Sequence, residues 1–128
     1  MNHKILIVDD EEKNISLMTL LLENAGYTVL SASNGAKGLV TARLEHPDLI
    51  LMDIQMPDMD GFSVAHEIFA DARTHDISVV GISAYSSLEL RQRALRMGMV
   101  GFFQRPVSHE FFIEQMRAFL PSSKEALA

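Results

Sequence analysis

The sequence predicts an α/β domain in which a parallel sheet lies between two layers of helices, a three-layer sandwich. Two observations carry that reading. Apolar runs and amphipathic segments alternate five times along the chain. The runs Ile5-Leu6-Ile7-Val8 and Leu49-Ile50-Leu51-Met52 are continuously apolar, as strands buried on both faces are; a strand with one wet face would alternate. Strands separated by helical segments pair in parallel through right-handed crossovers, which place helices on both faces.

Lys4 to Val8 reads as the first strand, aliphatic and β-branched at its centre. Glu12 to Asn24 is helical, with Ile15, Met18, Leu21 and Leu22 on one face and Gly26 stopping it. Thr28 to Ser33 is a short second strand. Asn34-Gly35 opens a helix running to Glu45, with Leu39 and Val40 inward and Pro47 beyond its end. Asp48 to Met52 is the third strand and Ser78 to Ile82 the fourth. The helix between them, Phe62 to Ala70, turns Val64, Ala65, Ile68 and Phe69 to one side, and Asp60 is placed to cap it. A fourth helix, Leu88 to Met97, ends at Gly98; its inward stripe is Leu90, Ala94 and Met97. Val100 to Gln104 is the last strand. The last helix, His109 to Leu120, is capped by Ser108 and turns Phe112, Ile113, Met116, Phe119 and Leu120 inward and Phe111 outward.

Composition narrows the function. With 128 residues, 48% of them apolar, the chain forms one ordinary domain, and its net charge of −6 argues against direct nucleic-acid binding through phosphates. There is no cysteine, hence no thiolate chemistry and no disulfide. No leader precedes the first strand and no apolar run is long enough for a membrane span, so a cytoplasmic domain with no membrane role is expected. His3, His46, His66, His75 and His109 lack metal-ligand spacing. Arg91, Arg93 and Arg96 read as a solvated basic face, and the eight methionines as core filling.

The informative feature is how the apolar runs end. The first runs into Asp9-Asp10, the third into Asp53, the fourth into Ser83 and the last into Arg105-Pro106. In an open parallel sheet these ends share one edge, the edge where such sheets bind ligands. Two carboxylates ~5 Å apart at an effective dielectric of ~20 repel by about 3 kcal/mol, so the cluster calls for a cation or a proton.

These residues carry a family likeness. Asp9-Asp10, the segment Asp53-Ile54-Gln55-Met56-Pro57-Asp58-Met59-Asp60-Gly61, Ser83-Ala84, and Phe102 three residues before a cation-proline pair occur in order, each at its own strand end. In these the chain resembles a receiver domain of a two-component response regulator, from Lys4 to Leu120. The resemblance implies a flavodoxin-like (βα)5 fold with sheet order 2-1-3-4-5, residues 1–121 as the receiver and 122–128 as a tail or the start of a linker. It implies Asp53 as phosphoacceptor, Mg²⁺ held by Asp10, Asp53 and the Gln55 backbone carbonyl with Asp9 acting largely through metal-bound water, and Ser83 and Arg105 meeting the phosphoryl oxygens. Ser83 and Phe102 are then the switch residues, Arg105-Pro106 a cis peptide, and Pro57 and Gly61 shape the turn after Asp53. Gln55 and Tyr85 stand where the family tunes dephosphorylation. The implied partners are a histidine kinase or phosphotransfer protein, as in a phosphorelay, and a downstream protein or output domain; a homodimer is a further option. The domain accepts a phosphoryl group and is not an enzyme for an external substrate.

Two departures qualify the likeness. Arg105 stands where the family has lysine, and Met99-Val100-Gly101 is uncharged where many receivers carry dimer-pairing acids. Arginine keeps the charge but needs different room for its planar fork. A degenerate, phosphate-independent receiver used as an interaction module is therefore the alternative, with Arg105 bound to the acids. A haloacid-dehalogenase-like phosphohydrolase would need DxD where the chain has Asp9-Asp10-Glu11, and a flavodoxin-like cofactor binder would meet repulsive acids in its first loop. Leu95, Phe102 and Phe111 are expected to contribute to an apolar partner-binding face.

Overall fold

The computed structural model describes residues 3–56, 60–84 and 87–120. Five strands alternate with five helices: β1 (Lys4–Val8), α1 (Glu12–Asn24), β2 (Thr28–Ala32), α2 (Gly35–Glu45), β3 (Leu49–Asp53), α3 (Gly61–Ala70), β4 (Ser78–Ser83), α4 (Leu88–Met97), β5 (Gly101–Gln104) and α5 (His109–Phe119). All pairings are parallel, in the order β2-β1-β3-β4-β5. Pro57 and Tyr85, singled out in the sequence, lie outside the described residues, as does the tail.

Successive strand residues face opposite layers. Ile5, Ile7, Leu49, Leu51, Val80 and Ile82 pack against Met18 and Leu22 of α1 and Phe112 and Met116 of α5. Leu6, Val8, Ile50, Met52 and Val79 pack against α2, α3 and Ala94 of α4. Each large aliphatic or aromatic side chain fully buried this way contributes about 1.5–3 kcal/mol. The central strands are apolar without a break because both their faces are dry.

Several ends and faces differ from the sequence reading. β2 stops at Ala32, whose carbonyl accepts the Asp9 amide at 3.1 Å as β1 itself ends. β3 starts at Leu49 and runs on through Asp53, paired with Ile82, and β4 runs on to Ser83. β5 starts at Gly101 and α5 ends at Phe119. Val40 is not inward but about half exposed. The buried side of α2 is Gly35, Gly38, Leu39 and Ala42; a Cβ on Gly38 would stand 2.9 Å from Val8 Cγ2, so small residues let the helix lie close on β1. Ser108 takes the N-cap position of α5 without a side-chain cap bond, as Glu11 does at α1. Asp60 does cap α3, accepting from the Ser63 amide at 2.9 Å.

Candidate functional site

The parallel sheet brings the carboxyl ends of β1, β3, β4 and β5 to one edge, and with them Asp9 and Asp10, Asp53, Ser83 and Arg105. The order reverses at β1, whose neighbours are β2 and β3, so the acids flank the crevice where open α/β sheets take ligands.

Asp9 and Asp53 are buried and Asp10 is exposed, yet each offers an oxygen within 4.8 Å of the others'. Each carboxylate has a partner that fixes it. Asp9 Oδ1 accepts the Glu11 amide at 2.9 Å, and Oδ2 accepts from Arg105 Nη2. Asp53 Oδ1 accepts the Gln55 amide at 2.9 Å and lies 3.8 Å from Arg105 Nη1. Even so, burial pushes the Asp53 carboxyl up to about 7, with Asp9 and Asp10 pushing the same way, against the pull of the Gln55 amide and Arg105. An all-oxygen carboxylate set of this kind suits a hard divalent cation, and among the described residues no other group of three or more potential ligands forms.

Arg105 lies largely buried between the acids, its Nε enclosed without a hydrogen-bond partner, and the Arg105-Pro106 peptide is cis. Its backbone amide donates to the Ser83 carbonyl at 2.8 Å, which ties the cation to the end of β4. Ser83 is fully buried, and its hydroxyl donates to Gln55 Oε1 at 2.8 Å.

Gly61, at the start of α3, lies close against the end of β3. A Cβ on Gly61 would stand 2.4 Å from the Asp53 carbonyl oxygen and 2.6 Å from Ile54 Cα; only glycine lets the start of α3 pass there. Phe102 is half-buried, its ring against Gly81 on β4 and under the Arg91 guanidinium at 5.5 Å. Phe102 and Phe111 share the lining of a cleft of about 440 Å³ between β5 and α5. Leu95 is exposed but does not line that cleft.

The expected residues thus converge. Asp9 grips Arg105, the contact that the phosphate-independent alternative calls for. The contact of the Gln55 side chain with Ser83 is not written in the sequence motifs. The available signal was register: with Asp53 opposite Ile82 and the Ile54 amide bonded to the Ile82 carbonyl, residue 55 falls beside Ser83. A second cleft, of about 580 Å³, lies between α1 and α2 at the β2 edge and contains none of the clustered acids.

Residues 5–117 match the response regulator receiver domain family. The polar-differentiation response regulator DivK of Brucella ovis is 33% identical over 120 residues, covering 94% of this chain and 98% of DivK. Protein PilH of Pseudomonas aeruginosa is 35% identical over 117 residues, covering 91% and 97%. The chemotaxis protein CheY4 of Vibrio cholerae superposes with a TM-score of 0.88 at 25% identity, over 94% of this chain and all of that one.

Proposed function

The chain belongs to the response regulator receiver domain family of two-component signalling, and from that premise we propose that it is a switch set by phosphorylation of Asp53. Receiver domains are signalling domains, not classical enzymes, and this one accepts a phosphoryl group from a histidine kinase or phosphotransfer protein and presents the result to a downstream protein or output domain. We take residues 1–121 as the receiver and 122–128 as tail or linker. A cytoplasmic setting fits a chain in which, among the described residues, no helix is long and apolar enough to cross a membrane.

The observation that carries the proposal is the convergence of Asp9, Asp10 and Asp53 within 4.8 Å, with Arg105 reaching Asp9 and Asp53. Asp9, Asp10, Asp53 and the Gln55 carbonyl are the groups to hold Mg²⁺. When bound, Mg²⁺ supplies positive charge that offsets repulsion among the carboxylates and the phosphoryl oxygens. An Asp53 oxygen forms the bond to phosphorus as the donor's phosphorus–nitrogen bond breaks, and the imidazole leaves with a proton. The product is an acyl phosphate. Arg105 is long enough and charged to turn from Asp9 to a phosphoryl oxygen, and Ser83 supplies one hydroxyl donor from β4. Phe102, packed on Gly81 of the same strand, is the aromatic that answers the movement of Ser83. Exposed Phe111 and Leu95, with Phe102, form the apolar face that a partner reads.

Treatment with acetyl phosphate, or with beryllofluoride and Mg²⁺, tests the reading. A stable adduct lost in Asp53→Asn supports it; no adduct, and no change on that substitution, overturns it. One observation favours a second reading, a phosphate-independent interaction module: the Arg105 guanidinium already occupies Asp9. That reading requires partner binding indifferent to both Asp53→Ala and Mg²⁺.

A further inference from the structure

We propose that the outer face of α2 is a self-complementary docking surface, on which a second copy of this chain packs its own α2 antiparallel about a two-fold axis at Thr41.

The face combines a receptor, a knob and paired charges. The receptor is the cleft of about 580 Å³ between α1 and α2, lined by the apolar side chains of Ile15, Ala32, Ala36 and Val40 and lying apart from the acid cluster. The knob is Leu44, 78% exposed and one turn beyond Val40, which is itself 52% exposed. The charges are Lys37 and Glu45. With Thr41 they follow at intervals of four, so the three share one side of the helix. Glu45 bonds only to Lys4, in an exposed pair at 3.4 Å that contributes little. Lys37 lines the cleft, and among the described residues its ammonium makes no ion pair.

The spacing selects the occupant. Lys37 and Glu45 stand on either side of Thr41, each about 6 Å from it along the helix axis. An antiparallel α2 centred on Thr41 therefore sets Lys37 against Glu45 of the second copy, and Glu45 against its Lys37. The same axis carries Leu44 of the second copy over the N-terminal half of α2, where Val40 and the cleft lie. A parallel arrangement would instead oppose Lys37 to Lys37 and Glu45 to Glu45, and would align the two helix dipoles unfavourably. A contact that repeats itself across a two-fold axis closes as a dimer. One helix face per copy is a small interface, so the dimer is weak. It forms at the β2 edge of the sheet and leaves the opposite, β5 edge open.

Sedimentation equilibrium of the full chain, from micromolar to millimolar concentration, tests the proposal. The expected result for the wild type is a monomer–dimer equilibrium. Leu44→Asp should stay monomeric throughout, and circular dichroism confirms its fold. Lys37→Glu should weaken the dimer about tenfold, because the two-fold axis counts each substitution twice. Combining Lys37→Glu with Glu45→Lys should restore association, since both cross-dimer pairs are then reversed. Leu20→Asp, at a leucine 57% exposed on α1, is the control and should dimerise as the wild type does. A wild type that is monomeric at every concentration overturns the proposal. So does a dimer that survives Leu44→Asp, one lost equally in Leu20→Asp, or one that the charge exchange fails to restore.

Discussion

Arg105 bonds to Asp9 through the outer end of its guanidinium while staying 3.8 Å from Asp53, so a single side chain bridges the two buried carboxylates. The side chains of Asp9 and Asp53 are only 1% and 5% exposed and that of Arg105 15%, so solvent screens the trio weakly. The cation demanded by the carboxylate cluster is thus already present in the polypeptide. A metal ion drawn to the same oxygens competes with it.

That competition gives the first prediction. Removing one member of a buried ion pair costs about 3–5 kcal/mol, and Arg105→Ala, which strands buried Asp9, should lower metal-free stability by an amount of that order. Ligand binding to the native state restores stability by mass action. Added Mg²⁺ should therefore raise the melting temperature of Arg105→Ala more than that of the wild type. Arg105→Lys, which keeps the charge but loses the planar fork, should fall between. Thermal denaturation with and without Mg²⁺ measures both effects; equal Mg²⁺-induced shifts in all three proteins would contradict the competition.

The pH dependence follows from Asp53. Unfolded, its carboxyl loses the proton near the ordinary 3.8; folded and metal-free, burial holds it to about 7. Between those values the native state carries a proton that the unfolded state lacks, so stability falls as pH rises through that window and levels off above it. At 1.36 kcal/mol per unit the span is on the order of 4 kcal/mol as a ceiling. Asp53→Asn removes the titration and should flatten the metal-free stability profile from pH 4 to 7. Chemical denaturation at several pH values without divalent cations is the measurement, and parallel profiles for the two proteins would refute the assignment.

How far the sequence could be read depended on which force shaped each feature. The strands and the acids at their ends were legible because burial on both faces writes an unbroken apolar run, and the run stops at the polar groups of the sheet edge. Helix α2 was harder. It packs through Gly35, Gly38 and Ala42, with Leu39 its one large buried side chain, so apolar spacing assigned Val40 to the wrong side. The contact between Gln55 and Ser83 was invisible for another reason, because it depends on strand register and on the path of the chain after β3.

The apolar surface beside β5 gives the third prediction. Phe111 is 57% exposed on α5 and lines the cleft that Phe102 also enters. An aromatic ring left in water contributes little to folding and a great deal to an interface that covers it. Phe111→Ala should leave the denaturation midpoint within about 0.5 kcal/mol of the wild type while weakening the downstream partner by tenfold or more, roughly 1.4 kcal/mol. Leu95 lies outside the cleft lining, so Leu95→Ala should cost less. Binding measured with the phosphorylated or beryllofluoride-loaded protein checks the ranking, and full affinity in Phe111→Ala would remove this face from consideration.

The last prediction separates Gly61 from Gly38 by what a methyl group would meet at each. A methyl on Gly61 meets the Asp53 carbonyl oxygen at 2.4 Å and Ile54 Cα at 2.6 Å, both backbone atoms. A methyl on Gly38 meets Val8 Cγ2 at 2.9 Å and Val8 Cγ1 at 3.1 Å, which are side-chain atoms able to shift by rotation about one bond. Alanine is worth roughly 0.5–1 kcal/mol over glycine inside a helix, while overpacking typically costs 1–3 kcal/mol. For Gly38→Ala the helix gain offsets part of the overpacking and leaves a net loss of roughly 1 kcal/mol, and the contact lies on the sheet face, so binding at the acid cluster should not change. For Gly61→Ala the clash falls on the main chain that carries Asp53, so the helix start must move away or push the carboxylate out of register with Asp9 and Asp10. Gly61→Ala should therefore lose about 2 kcal/mol of stability and also bind Mg²⁺ and beryllofluoride more weakly than Gly38→Ala does. Equal affinities in the two variants would show that the approach of α3 to β3 does not position Asp53.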